Sequence, residues 1–187
     1  MLPIGILASS GGSASAYELI STSLVSSDTT SVTFGSIPAT YKHLEIRMTS
    51  RTNEGGATYS DSGLMEFNSD TTNGNYAGHY IAGNGSGVNN SATSFKIGTL
   101  RTLATSLNTG SAFAAHIIEI PDYAATTKNK VARVLSGQLN TTYGAYGIAL
   151  TSLLWINTSA ITSVTLKPAS GASWTSGSRF SLYGIRG

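Results

Sequence analysis

The sequence predicts an all-β fold: an antiparallel two-sheet sandwich of jelly-roll type behind an extended N-terminal arm. Three observations predict it. Apolar and polar residues alternate in short runs: in Lys42–Ser50, Leu44, Ile46 and Met48 share one side, and His43, Glu45 and Arg47 the other. That period of two is the strand's own, because successive side chains point to opposite faces. Each run is bounded by Gly, Asn, Asp or Pro, the residues that turn a chain. No 11-residue window carries apolar residues at helical spacing. One wet and one buried face per strand is the antiparallel habit, and many short strands joined by polar turns favour a sandwich.

The elements follow in order. Residues 1–16 are read as an arm: an apolar Leu2–Ala8 and then a Ser/Gly/Ala spacer. Pro3 and Gly5 disfavour a helix there. Ala14-Ser15-Ala16 resembles a signal-peptidase site, yet no Lys or Arg precedes the short apolar patch. The arm is therefore expected to be retained. Leu2, Pro3, Ile4, Ile6 and Leu7 are its candidate partner-binding residues, by adding a strand to a neighbour's sheet edge or by packing into its groove. Residues 17–187 form the sandwich. Strands are expected near Tyr17–Val25, Ser31–Phe34, Lys42–Thr52, Leu64–Asn68, Tyr76–Ala82 and Ser94–Leu100. Others are expected near Ala112–Ile120, Lys130–Leu139, Gly147–Ile156, Ser163–Lys167 and Arg179–Ile185. Between them, Asn73-Gly74 marks a turn, "IAGNGSGVNNSATS" reads as a flexible loop, and Pro121 closes one strand.

Composition removes several functions. Charged residues are 11% of the 187, against about 25% in an ordinary domain. Lys and Arg number 11, Asp and Glu 9, and the cations are scattered, whereas a nucleic-acid binder clusters them against phosphates. Nucleic acid is thus not an expected partner. No apolar run approaches a membrane span. With no Cys there is neither a disulfide nor a thiolate metal site. Ser and Thr make up more than a quarter of the chain. Their neutral hydroxyls cost less to desolvate than charges, which suits close contact with another protein.

The chemistry-bearing residues form no motif. His43, His79 and His116 have no metal-ligand spacing. Asn68–Gly74 lacks the register of a calcium loop and is expected to be a turn. There is no G-x-S-x-G elbow. Glu45, Glu66, Glu119 and Asp122 are the acids that could converge as a glycosidase pair. Glu119, Asp122, Lys128, Lys130 and Arg133 read as an ion-pair set around one connection, with a partner contact as the alternative. Tyr59, Tyr76, Tyr80, Tyr123, Tyr143, Tyr146 and Trp174 lie in or near turns, as caps on the sandwich or as anchors for a sugar or protein. Asp122, Tyr123, Lys128, Lys130, Tyr143 and Trp174 are the candidate loop contacts. No catalytic, metal or cofactor site is expected.

The ordered series "SVTFGSIPATYKHLEIR", "FNSDTTNGNYAGHYIAGNG", "IEIPDYAATTKNKVARVL", "LWINTSAITSVTLKP" and "SRFSLYGIRG" resembles a family of small tailed-bacteriophage virion proteins. These are sandwiches called decoration (cement) or tail-fibre-like proteins. The resemblance runs from Tyr17 to the C-terminus and includes the "LPIGILASS" leader. It implies a non-enzymatic jelly roll located in the virion. As a homotrimer it would bind the major capsid protein or another virion protein on the outer capsid surface and stabilise the particle. The alternative is a tail-fibre or spike module that recognises a host glycan.

Overall fold

The computed structural model describes residues 15–55, 60–93, 97–107, 112–138, 147–169 and 171–187. Within them are twelve strands and one 3-10 turn at Asn73–Asn75. The strands are β1 (Tyr17–Leu24), β2 (Val32–Phe34), β3 (His43–Ser50), β4 (Ser60–Phe67), β5 (Tyr76–Gly83) and β6 (Val88–Thr93). They continue as β7 (Ile97–Ala104), β8 (Ala114–Pro121), β9 (Lys130–Gly137), β10 (Ile148–Trp155), β11 (Val164–Pro168) and β12 (Arg179–Ile185). An eight-stranded sheet runs β1-β12-β3-β8-β9-β10-β5-β6, and a four-stranded sheet runs β2-β11-β4-β7. Every pairing between strands is antiparallel.

The jelly roll is legible in the pairing. Four nested pairs, β1·β12, β2·β11, β3·β8 and β4·β7, make one long hairpin. Two further pairings, β12·β3 and β11·β4, roll that hairpin into two facing sheets. The remaining strands are two insertions. The β5–β6 hairpin lies between β4 and β7 in the chain, and β9–β10 between β8 and β11. All four insertion strands extend the same sheet beyond β8.

β6 corrects the expectation of a flexible loop over Ile81–Ser94. Its residues, VNNSAT, have no apolar alternation, because an edge strand with one neighbour is held by its backbone ladder to β5. The other expected strands are present, with ends shifted by a few residues. β1 begins at Tyr17 as expected, and the arm residues Leu2, Pro3, Ile4, Ile6 and Leu7 lie outside the described residues.

The core fills the space between the sheets. Leu44, Ile46 and Met48 of β3 meet Ile118 and Ile120 of β8, Val134 of β9, and Met65, Phe67, Val164 and Leu166 of the small sheet. Two tryptophans anchor its ends. Trp174 stands edge-on to Phe180 at 5.2 Å and donates its indole N–H to the Leu166 carbonyl at 3.2 Å. Trp155 packs on Phe67 at 5.5 Å and donates to Asp70 Oδ2 at 2.8 Å. Both satisfy their one donor, as a buried indole must. Gly184 admits the Tyr41 ring onto β12, where an added Cβ would lie 2.3 Å from the ring.

Candidate functional site

The antiparallel register builds rows of outward side chains across the large sheet. One row reads Ser181, Arg47, Ile117, Leu135, Leu150, Ile81, Asn90 from β12 to β6. Its four central aliphatic residues are between 42% and 52% exposed. The next row contributes Ile148 and Val88, at 63% and 67%. These six side chains lie on five neighbouring strands, β8, β9, β10, β5 and β6. Scattered exposed aliphatics are ordinary, but a contiguous patch marks an interaction surface. Glycines deepen it. A hollow of about 560 Å³ lies among Ile81, Gly83, Val88, Ile148 and Leu150, and one of about 270 Å³ among Ala115, Ile117, Leu135, Gly137 and Ile148. A third groove, of about 520 Å³, lies nearer the other strand ends, between His43, Pro121, Val131, Arg133, Ser152 and Ile185.

The rolled half of the same face is locked by charge. Glu45 is buried, accepting from Arg47 Nε at 2.7 Å and from the Tyr17 hydroxyl at 3.2 Å. Arg47 sits between the Tyr17 and Tyr183 rings, 5.4 Å from each centroid. Its hydrogen bond to Glu45 raises the Arg47 pKa, and the Glu45 charge raises that of Tyr17. Glu18 and Arg186 pair beside them at 2.5 Å. The small sheet is polar outside too, with Thr33 and Thr165 hydroxyls 2.9 Å apart and Lys167 on Glu66 at 2.7 Å.

The acids do not converge on one site. Glu45 and Glu119 are cross-strand neighbours, but each is held by its own arginine, Glu119 by Arg133 Nε at 2.7 Å. Glu66 lies on the other sheet. Asp122, at φ 47°, binds Lys128 and, at 3.1 Å, Lys42. Hydrogen bonds from those two ammonium groups, Lys128 first, lower its pKa to about 2. Lys130 does not join this set. Its side chain is buried, and its ammonium donates to the Lys128 and Thr158 carbonyls, both at 2.9 Å. Burial lowers its pKa.

Three of the expected loop contacts are corrected. Lys130, Tyr123 and Trp174 are almost wholly buried and present no surface to a partner. The Tyr123 hydroxyl donates to the Pro38 carbonyl, which pins the Ile37-Pro38 corner. Each looked exposed because it sits among polar turn residues, while its burial comes from chain distant in sequence. Tyr76 is likewise core, stacked on Trp155 at 6.5 Å. Asp122 and Lys128 remain at the surface. Tyr59, Tyr143 and Tyr146 lie outside the described residues.

Asn68–Gly74 is a turn, as expected. The Asp70 carboxylate accepts from Trp155, Asn75 and the Thr72 N–H. Those hydrogen bonds outweigh its desolvation and hold its pKa low. His116 is buried with Nε2 2.8 Å from the Arg101 carbonyl, and its Nδ1 has no partner. Burial pushes its pKa down to about 4. Among the described residues no three His, Asp or Glu are placed to hold a metal, and no helix is long and apolar enough to cross a membrane.

Sequence reasoning missed the apolar face. The signal was present: Val131, Leu135, Ile148 and Leu150 occupy the positions between core residues on β9 and β10, where a sandwich in water normally places polar side chains. Fold and surface together define a β-sandwich of jelly-roll topology whose large sheet is widened by two hairpins and carries exposed aliphatic side chains on its outer side. No protein-family model, curated protein or solved structure matches the chain.

Proposed function

We propose that the protein is a non-enzymatic structural component of a tailed-bacteriophage particle. It acts as a capsid decoration protein that binds the outer capsid surface as a homotrimer and stabilises the shell. The observation that carries this reading is the apolar row Ile117, Leu135, Leu150 and Ile81, flanked by Ile148 and Val88. Each is already about half covered, so burying the remainder is worth roughly 1 kcal/mol apiece. Six on a hydrogen-bonded sheet make a stiff contact that loses little entropy on docking. The family resemblance and the low charge of the chain support the same reading.

The glycan-binding alternative is weaker on this surface. Of the aromatic residues proposed as sugar platforms, Tyr76, Tyr123 and Trp174 face the core. The test is the position and copy number of the chain on an intact particle, by electron cryomicroscopy and quantitative gel analysis. A copy number that follows the capsid lattice, with the β9–β10 face against capsid protein, supports decoration. A few copies at the tail tip assign the chain to a fibre. Absence from particles overturns both.

A further inference from the structure

The two sheets present four edges, β1 and β6 on the large one and β2 and β7 on the small one. An open edge is a row of unpaired backbone groups, which proteins blunt with charge, proline, bulges or short length. Three of the four are blunted. β1 carries Glu18 and a register shift between Leu19 and Ser21. β2 has three residues. β7 carries Arg101 and pairs with β4 across two register shifts. β6, VNNSAT, has no charge and no proline, and its register with β5 is unbroken from Gly78–Thr93 to Gly83–Val88. Val88 to Ala92 are all exposed.

The hairpin decides which backbone groups of β6 are free. The Asn84 N–H donates to the Gly87 carbonyl at 3.3 Å, while the Gly83 carbonyl turns away from β6 and accepts the Gly147 N–H at 3.0 Å. Hydrogen-bonded and non-bonded pairs alternate along an antiparallel ladder. Asn89, Ser91 and Thr93 therefore bond to β5, and Val88, Asn90 and Ala92 direct their N–H and C=O groups outward. Among the described residues only the Ser91 hydroxyl reaches these groups, 3.4 Å from the Ala92 carbonyl. The same three residues carry their side chains on the outer face, in line with Ile81 and Ile148.

We infer that β6 is a joint between two copies of this chain, pairing antiparallel with the β6 of a second copy about a two-fold axis normal to the sheet. Strand addition of this kind takes its affinity from main-chain hydrogen bonds. A register centred on Asn90 uses all three outward residues: Asn90 faces Asn90 of the second copy, and Val88 faces its Ala92. Because β6 carries no charge, self-pairing opposes no like charges. A second copy also closes the edge. An isologous contact leaves no β6 free, whereas laying β6 on a different edge would leave one open at every step. The axis keeps both outer faces on one side, so the rows that end at Asn90 and Val88 continue into the second copy and the apolar platform runs across the joint. This two-fold contact is additional to a three-fold one and ties one trimer to the next. It does not rest on particle attachment.

A six-residue edge is small against the roughly 1,200 Å² of a stable interface, so the joint is best read by trapping it in concentrated protein. The chain has no Cys, and one introduced thiol therefore reports it. Full-length protein carrying Asn90→Cys, or Leu19→Cys on the β1 edge as the control, is treated with bismaleimidoethane. Both positions are exposed. Facing residues of a hydrogen-bonded pair lie about 5.5 Å apart between Cα atoms, within the reagent's reach. Cross-linked dimer is expected from Asn90→Cys at about tenfold or more the yield of the control; equal yields overturn the inference. Amide exchange reads the same joint without a reagent. As concentration rises, the Val88, Asn90 and Ala92 amides are expected to exchange more slowly, with Asn89 and Ser91 unchanged. Asn90→Pro removes one outward N–H and leaves the β5 ladder intact, so the concentration dependence at Val88 and Ala92 is expected to vanish. Outward amides that ignore concentration in the unaltered protein overturn the inference and leave the edge to a strand of another protein. Neither experiment reads particle attachment, so failure there and failure here remain distinguishable.

Discussion

The outer face of the large sheet changes character at β8. On β12 and β3 the outward Tyr183, Glu45 and Arg47 close with Tyr17 of β1 in hydrogen bonds and ring contacts, while Leu19 and Leu24 of β1 stand exposed along the sheet edge. On β9, β10, β5 and β6 the outward positions hold Leu135, Leu150, Ile148, Ile81 and Val88, each at least 44% exposed. The backbone ladder is continuous across both halves. Pairing therefore does not dictate what a sheet displays. The rolled hairpin ties its middle strands in polar contacts and leaves exposed leucines on its edge strand β1, whereas the inserted hairpins widen the sheet and add an apolar platform across several strands.

The largest test of this contrast concerns the inner side, where the two halves share one core. Trp174→Ala and Trp155→Ala, one at each end, are each expected to cost about 3–5 kcal/mol in urea unfolding. Each is expected to unfold in one transition. A separate early transition in Trp155→Ala would make the inserted hairpins an independent unit and break the comparison.

Next comes His116, on the strand where the halves meet. Its pKa is about 4 when folded and 6.5 ordinarily. The unfolded chain thus binds the extra proton between those values, and stability falls as pH drops through that window. The loss by pH 4 is about 3 kcal/mol. His116→Gln is expected to flatten this part of the stability–pH profile. A slope unchanged in the variant would assign the loss to other groups.

Leu135→Lys with Leu150→Lys tests the platform itself. Thermal stability is expected to move little, because both side chains are exposed. Particle attachment is expected to weaken by at least roughly 2 kcal/mol, the scale of interface anchors. Undiminished occupancy would relocate the contact to another face. The smallest effect belongs to Arg133→Ala. The Glu119–Arg133 pair is exposed, so its loss should cost under about 1 kcal/mol and less still at high salt. A larger cost would mean the groove rim is structurally tighter than an exposed pair.

Much of the fold was legible residue by residue. The alternation in β3 put Leu44, Ile46 and Met48 on one side, and that side is the core. The β6 strand was not legible, since an edge strand can be held by backbone bonds alone and VNNSAT carries no period of two. Trp174 was misplaced for the opposite reason. Its neighbours Ser173 and Thr175 are those of a loop, and its burial comes from Leu166 and Phe180, which reach it only once the sheets face each other. Lys130 was misplaced with it, because the Thr158 carbonyl that receives its ammonium lies 28 residues away.

By itself, then, the sequence determined eleven of the twelve strands and the core side of β3, because side-chain alternation and turn chemistry act between neighbours a few residues apart. The tertiary structure alone decided that β1 lies on β12, that both insertions join the same sheet, and that their outward aliphatic residues meet as one surface. Those relations depend on hydrogen bonds and packing between residues up to about the length of the chain apart, and no local pattern encodes which distant strand will come alongside.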